Sequence, residues 1–213
     1  MKNIINIAVV GLGQIGIYLL NELNTKKKDI ELKTGKKINV VAVSAKSISK
    51  KRRFKVNKKI FYKNPLEIFN KTKVDILFEA IGMSDGISKK VVETALRNKI
   101  HVITTNKALI SKHGDYLSKL AEDNGVNLDF EASVAGGIPI LRTIKEGLAT
   151  NKILKVYGIL NGTTNYILTE MENSNQSFPE VLKKAQKLGY AEPGNPKLDL
   201  NGFDAFAKVR ILS

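Results

Sequence analysis

Cysteine is absent from the chain, which excludes a disulfide framework, a thiolate metal site and a cysteine nucleophile and fits a reducing compartment. A cytoplasmic location is expected on that ground. Long hydrophobic runs are lacking too. After Met1-Lys2-Asn3 the apolar stretch 4–10 stops at Gly11, too short for a signal sequence or a membrane span, so no membrane partner is expected. Histidine occurs only as His101 and His113; one opens an apolar run and the other sits in a polar stretch, so neither is assigned to catalysis despite the usual suitability of the side chain. Arginine is scarce, with Arg52, Arg53, Arg97, Arg142 and Arg210 alone, so the formal charge of +15 is mainly lysine. The lysines are spread over helices and loops without an aromatic-interleaved stripe. That spread favours a solvated surface over a nucleic-acid face.

What is present is enough apolar residue, 43% of 213 positions, to build a core. Short apolar runs at 4–10, 38–44, 74–80, 100–104 and 126–131 alternate with helical stretches at 15–23, 65–70, 86–98 and 116–124. This alternation is the signature of βαβ units, and it predicts an α/β fold with a doubly wound, Rossmann-type parallel sheet. Beyond about residue 130 the pattern changes to helices at 139–148, 165–172 and 179–188 and a strand at 153–159. We therefore expect a nucleotide-binding domain at 1–130 and, at 131–213, an incomplete α+β substrate and dimerisation domain. Residues 189–199 hold two prolines and two glycines and read as a loop. The last helical stretch, 202–213, reaches the end of the sequence without a stop signal, so the pattern is expected to continue in a longer chain.

The string Val9-Val10-Gly11-Leu12-Gly13-Gln14-Ile15-Gly16 follows the first strand and opens the first helix, the setting in which G-x-G-x-x-G denotes a dinucleotide site. Gly11 permits the tight turn, Gly13 lets backbone approach a pyrophosphate, and Gly16 allows close packing of helix on strand, with helix N–H groups facing the anion. The end of the second strand, Ser44-Ala45-Lys46-Ser47, lacks the carboxylate that would bind an NAD ribose, and Lys46, Lys50, Lys51, Arg52 and Arg53 follow. NADP is favoured over NAD. Each basic residue there reads equally well as part of a solvated loop. Glu79-Ala80-Ile81-Gly82 ends the strand at 74–80, so Ile81 and Gly82 are candidates for backbone contact with the nicotinamide half; alternatively Gly82 serves only the turn.

Lys107 emerges at the same carboxyl edge, although by position alone it reads first as a surface lysine. Asp204 and Lys208 stand four apart and share a helix face. They make either a surface ion pair or, with Glu192 and Asp199 before them, a proton donor set among carboxylates.

The strings Thr104-Thr105-Asn106-Lys107-Ala108-Leu109, Glu131-Ala132-Ser133-Val134-Ala135-Gly136-Gly137-Ile138-Pro139, Asn161-Gly162-Thr163-Thr164-Asn165-Tyr166 and Leu188-Gly189-Tyr190-Ala191-Glu192-Pro193, then Asp199 to Ala205 with Lys208, resemble the homoserine dehydrogenase family in content and order. With the glycine loop they cover nearly the whole chain. The resemblance implies NAD(P)-dependent interconversion of L-aspartate 4-semialdehyde and L-homoserine, in threonine, methionine and isoleucine biosynthesis. It implies Lys208 as the proton donor, Asp204 as its companion acid, Lys107 beside nicotinamide and substrate, and Glu192 and Asp199 on the substrate. It further implies a monovalent cation, Na or K, at Glu131 and the carbonyls of Val134, Gly136 and Ile138, and a homodimer at full length.

Two local departures accompany it: a loop at 193–198 one residue longer than in some relatives, and Phe206-Ala207 before Lys208. The family also continues well past this length, often into a regulatory domain. The alternatives are another oxidoreductase on the same scaffold and a truncated, inactive fragment that retains nucleotide binding only.

Overall fold

In the computed structural model, which describes residues 3–49, 56–191 and 196–213, the first apolar run forms β1 (Ile4–Val10), with Ala8, Val9 and Val10 almost wholly buried. Burial on both faces is what a central parallel strand requires, because crossover helices cover the sheet from both sides. Five more strands join it: β2 (Lys37–Ser44), β3 (Phe61–Tyr62), β4 (Ile76–Glu79), β5 (His101–Thr104) and β6 (Leu128–Asp129). All pairings are parallel, in the order β3-β2-β1-β4-β5-β6. The α/β fold read from the sequence is the fold observed. The strand order reverses between β1 and β4, and in open sheets of this kind the crevice beyond the carboxyl ends at that reversal is where ligands bind.

Residues 1–142 form one compact unit and residues 143–213 a second. In the first, α1 (Gln14–Thr25) and α2 (Lys27–Thr34) link β1 to β2, and α3 (Ile68–Lys71) precedes β4. The helix α4 (Ile87–Arg97) links β4 to β5, and α5 (Lys107–Asp123) links β5 to β6. The buried set on α4, Ser88, Val91, Val92, Ala95 and Leu96, recurs at three- and four-residue spacing, the stripe by which a helix lies on a sheet. Val91, Val92 and Leu96, taken fully out of water, each stabilise the unit by about 1.5–3 kcal/mol. A three-residue helix, α6 (Ile140–Arg142), closes this unit.

Among the described residues the second unit is built from a π-helical turn at Thr143–Gly147 and four helices, α7 (Gly162–Ser174), α8 (Phe178–Leu188), α9 (Lys197–Leu200) and α10 (Phe203–Leu212). Ile167, Val181, Ala185 and Ala191 form its core, and Tyr166 stacks on Tyr190 with centroids 4.5 Å apart. Ser177 and Glu180 close a capping box at the start of α8, whose second residue, Pro179, supplies a fixed φ.

Several expectations differ from what is observed, and one observed helix is not among them. Residues 153–159 form no strand: the segment carries Leu154 and Tyr157 at 84% and 85% exposure, and among the described residues no strand lies beside it to complete a ladder. The loop 189–199 contains the first residues of α9. The helix expected at 116–124 begins at Lys107, because Asn106 caps it and accepts the Leu109 N–H through its side chain (3.1 Å). Lastly, α2 has no buried residue, so no apolar stripe announced it.

Two glycines carry the closest contacts at the reversal point. Gly11 has φ +94°, and a Cβ there would lie 2.3 Å from the Ala80 carbonyl oxygen; a Cβ on Gly16 would lie 2.0 Å from the Gly11 oxygen. A Cβ on Gly13 would meet nothing within 4 Å. Gly16→Ala should therefore lower unfolding stability by about 1–3 kcal/mol, overpacking outweighing the better helix propensity of alanine. Gly13→Ala should cost under about 1 kcal/mol. Urea unfolding followed by circular dichroism checks the contrast.

Candidate functional site

The turn after β1 is tied to the end of β2 by a Gly11 N–H to Ser44 carbonyl bond of 2.9 Å. This brings the glycine loop and the position expected to face the adenosine ribose together. Leu12 and Gly16 are buried, whereas Gly13, Gln14 and Ile15 are exposed. No side chain caps the start of α1, and no acidic residue occupies its first turn. Free space at Gly13 beside a helix N-terminus without a carboxylate suits a diphosphate, which needs backbone donors and positive potential. Ser44 is buried and Lys46 exposed at the end of β2; Lys50, Lys51, Arg52 and Arg53 lie outside the described residues.

Across the reversal, β4 ends on Glu79, fully buried at 0% exposure. Its Oε1 accepts the Ile81 N–H (2.7 Å) and the Ser88 hydroxyl (2.8 Å), and its Oε2 accepts the Thr104 hydroxyl (2.5 Å). The Asn106 amide donates to Ser88 Oγ and to the Met83 carbonyl, both at 2.8 Å. Ile81, half-buried, and Gly82, exposed with φ +93°, are thus held in a turn anchored at both ends. Sequence reasoning named the turn and missed Glu79 as its anchor. The available signal was a carboxylate closing an apolar run already read as a buried strand, since buried charges are rare unless bonded.

Lys107 is half-buried at the first position of α5, directly after the Asn106 cap. The two histidines lie elsewhere: His101 Nδ1 accepts the Asn127 N–H (3.1 Å), and His113 Nε2 lies 2.9 Å from Asp85. Lys112, with Ser84 and His113, holds the exposed Asp85 carboxyl far below the usual carboxylate range.

At the end of the first unit both Glu131 oxygens accept backbone N–H groups, from Leu141 (3.1 Å) and Arg142 (2.9 Å). Ala135, with φ +49°, and Gly137, with φ +89°, fold the segment 134–138 into a tight turn in which the Ile138 N–H meets the Ala135 carbonyl. Val134 is buried; Gly136 and Ile138 are exposed. Carboxylate and backbone carbonyl oxygens are donors of the kind that hard cations take.

In the second unit the chemistry collects around Asn161. Its amide nitrogen donates to Asp199 Oδ1 (2.8 Å) and Asp204 Oδ2 (3.1 Å), while its oxygen accepts the Thr164 N–H (2.8 Å) and caps α7. Lys208 Nζ lies 2.8 Å from Asp204 Oδ2 and donates to the Leu160 carbonyl at 2.6 Å. Thr163 donates to the Tyr190 carbonyl (2.6 Å) and lies 3.2 Å from Asp199 Oδ2. Asp199, Asp204 and Lys208 are therefore one connected group. Glu192, also expected on the substrate, lies outside the described residues. Asn161 and Thr163 received no role from sequence, although Asn-Gly ahead of a helical stretch carries a capping signal.

Comparison with known proteins decides the lineage. The family model for the homoserine dehydrogenase NAD binding domain matches residues 11–131, and that for homoserine dehydrogenase matches residues 139–213. The chain belongs to the homoserine dehydrogenase family. Homoserine dehydrogenase of Neisseria gonorrhoeae is 40% identical over 98% of the chain and 47% of that protein, and that of Bacillus subtilis 39% identical over 98% and 48%. The crystal structure of a homoserine dehydrogenase from Thiobacillus denitrificans superposes with a TM-score of 0.87 at 36% identity, covering 100% of this chain and 49% of that one. The chain thus spans about half the length of these homoserine dehydrogenases.

Asn161 serves as cap and as amide donor to two carboxylates. Asn161→Ala should cost about 1–3 kcal/mol in urea unfolding, from the lost cap and the unmade bonds. Asn161→Asp keeps the capping oxygen but sets a third carboxylate beside Asp199 and Asp204, so its defect should be larger at pH 8 and shrink near pH 4, where carboxylates take up protons.

Proposed function

We propose that this protein interconverts L-aspartate 4-semialdehyde and L-homoserine with NAD(P) as hydride carrier, within threonine, methionine and isoleucine biosynthesis. The observation that carries the reading is the Asp199, Asp204 and Lys208 group gathered on Asn161, in a chain whose residues 11–131 match a homoserine dehydrogenase NAD binding domain. Residues 1–130 act as the cofactor domain and 131–213 as the part of the catalytic domain present here.

The bound nicotinamide supplies or takes a hydride at the carbon of the aldehyde or alcohol. The Lys208 ammonium is held by Asp204 and the Leu160 carbonyl, and it gives a proton to the oxygen that gains charge as the aldehyde is reduced. In the reverse direction the neutral amine takes that proton back. Asp199 and Glu192 supply negative charge for the substrate ammonium, and Lys107 helps to fix the substrate for transfer. Gly11, Leu12, Gly13, Gln14, Ile15 and Gly16 receive the diphosphate, and Ile81 and Gly82 line the nicotinamide half. With no carboxylate at Ser44 and an exposed Lys46 at the end of β2, a 2′-phosphate is accommodated, which favours NADP. Glu131 and the carbonyls of Val134, Gly136 and Ile138 would hold a sodium or potassium ion. At full length we expect a cytoplasmic homodimer that takes small-molecule substrates and not nucleic acid.

The test is homoserine-dependent reduction of NADP and of NAD by the purified 213-residue chain, with binding of each cofactor measured alongside. Turnover that falls about 10²- to 10⁴-fold in Lys208→Ala, with cofactor affinity kept within two-fold, is the expected result. Full activity in Lys208→Ala would remove the lysine from the mechanism. Cofactor binding without turnover in the unmutated chain would favour the fragment that retains nucleotide binding only.

A further inference from the structure

Glu79 stands out among the buried groups because nothing in the hydride transfer uses it. A carboxylate fully removed from water is costly unless donors replace the lost hydration. Here the donors that reach it are neutral. The Ile81 N–H, the Ser88 hydroxyl and the Thr104 hydroxyl converge on the two oxygens, with the Asn106 amide at 3.4 Å. Buried charge held by neutral donors in low dielectric makes short, directional bonds, so the group acts as a rigid node.

The donors come from three places at one edge of the sheet. Ile81 lies in the turn after β4, Ser88 in the first turn of α4, and Thr104 at the end of β5. Thr104 Oγ1 accepts the Asn106 N–H (3.0 Å), and the Asn106 side chain returns to the Met83 carbonyl and caps α5 at Leu109. Both ends of the turn 81–83 and the residue preceding Lys107 are therefore keyed to one carboxylate. The Ala80 carbonyl closes the loop against Gly11, where a Cβ would have no room.

We propose that Glu79 is a positioning residue for the nicotinamide half of the cofactor: it fixes the turn 81–83 and, through Thr104 and Asn106, the start of α5 that carries Lys107. The inference rests on the cofactor reading above and assigns Glu79 no contact with cofactor or substrate. It predicts a division within one ligand. The adenosine and diphosphate end depends on Gly11, Gly13 and Gly16, whereas the nicotinamide end depends on the Glu79 node.

An amide at position 79 can serve only one of the two oxygen positions as an acceptor. Its NH₂ faces Thr104 at least cost, because the Thr104 hydroxyl can turn and the Ile81 N–H cannot. Glu79→Gln thus reverses and weakens the bond to Thr104, whereas Thr104→Val removes it together with the acceptor of the Asn106 N–H. The experiment is calorimetric titration of the 213-residue chain and these variants with NADPH and with 2′-phospho-ADP-ribose, which lacks only the nicotinamide; NADH and ADP-ribose are run in parallel. Each variant should bind the complete dinucleotide about ten-fold more weakly and the truncated one within about two-fold of the unmutated chain. The double variant should be no weaker than Thr104→Val alone, because that single change already removes the bond the two residues share. Parallel loss of both ligands, or unchanged NADPH affinity in variants that retain their circular dichroism spectrum, would overturn the proposal. Should the unmutated chain bind none of the four ligands, the cofactor reading falls and takes this inference with it. Additive losses in the double variant would show two separate packing defects rather than one positioning device.

Discussion

The arrangement of the cofactor-side edge depends on one buried carboxylate. With Glu79 in place, strand β4 can end inside the protein and still leave no donor among Ile81, Ser88 and Thr104 without an acceptor. A neutral apolar side chain there would fill the space and strand those donors, each at a cost of about 1–3 kcal/mol. The geometry of the turn after β4, the register of the first turn of α4 and the entry into α5 follow from satisfying that single group. The glycine loop meets the same structure from the other side of the strand reversal, where Gly11 packs directly on Ala80.

The second unit solves a similar problem with the signs exchanged. In the first unit an acceptor collects donors; in the second, the Asn161 amide collects two carboxylates, and Lys208 supplies the positive charge that makes their proximity tolerable. Both nodes also cap or lead into helices, Asn161 at α7 and Asn106 at α5. The same bonds that hold the side chains proposed to react therefore hold backbone. Changing either node should be felt in stability and in chemistry together, whereas Gly13, where an added Cβ meets nothing, separates the two.

The sheet, its glycine loop and most helices were legible because their signals are local. A near-continuous apolar run followed by G-x-G-x-x-G can hardly form anything but a buried strand entering a helix, and the four-residue spacing of Asp204 and Lys208 places them together on any helix. The legible parts share short range. What escaped has long range or no apolar marker: Glu79 and Thr104 are 25 positions apart, Asn161 and Asp204 are 43 apart, and α2 buries nothing. The segment 153–159 failed in the opposite way. Its composition has the β-branched and aromatic residues of a strand, but strand formation is settled by a neighbour, and none lies beside it among the described residues.

The central claim, that the nicotinamide edge is set in advance by a buried carboxylate and not shaped by the arriving cofactor, is tested most directly by amide hydrogen exchange at Ile81 in the ligand-free chain. The account predicts that this N–H, bonded to Glu79 Oε1, exchanges as slowly as the amides of β1 and changes little on addition of NADPH. An Ile81 amide that exchanges at the rate of an open loop, and is protected only once NADPH binds, would contradict it.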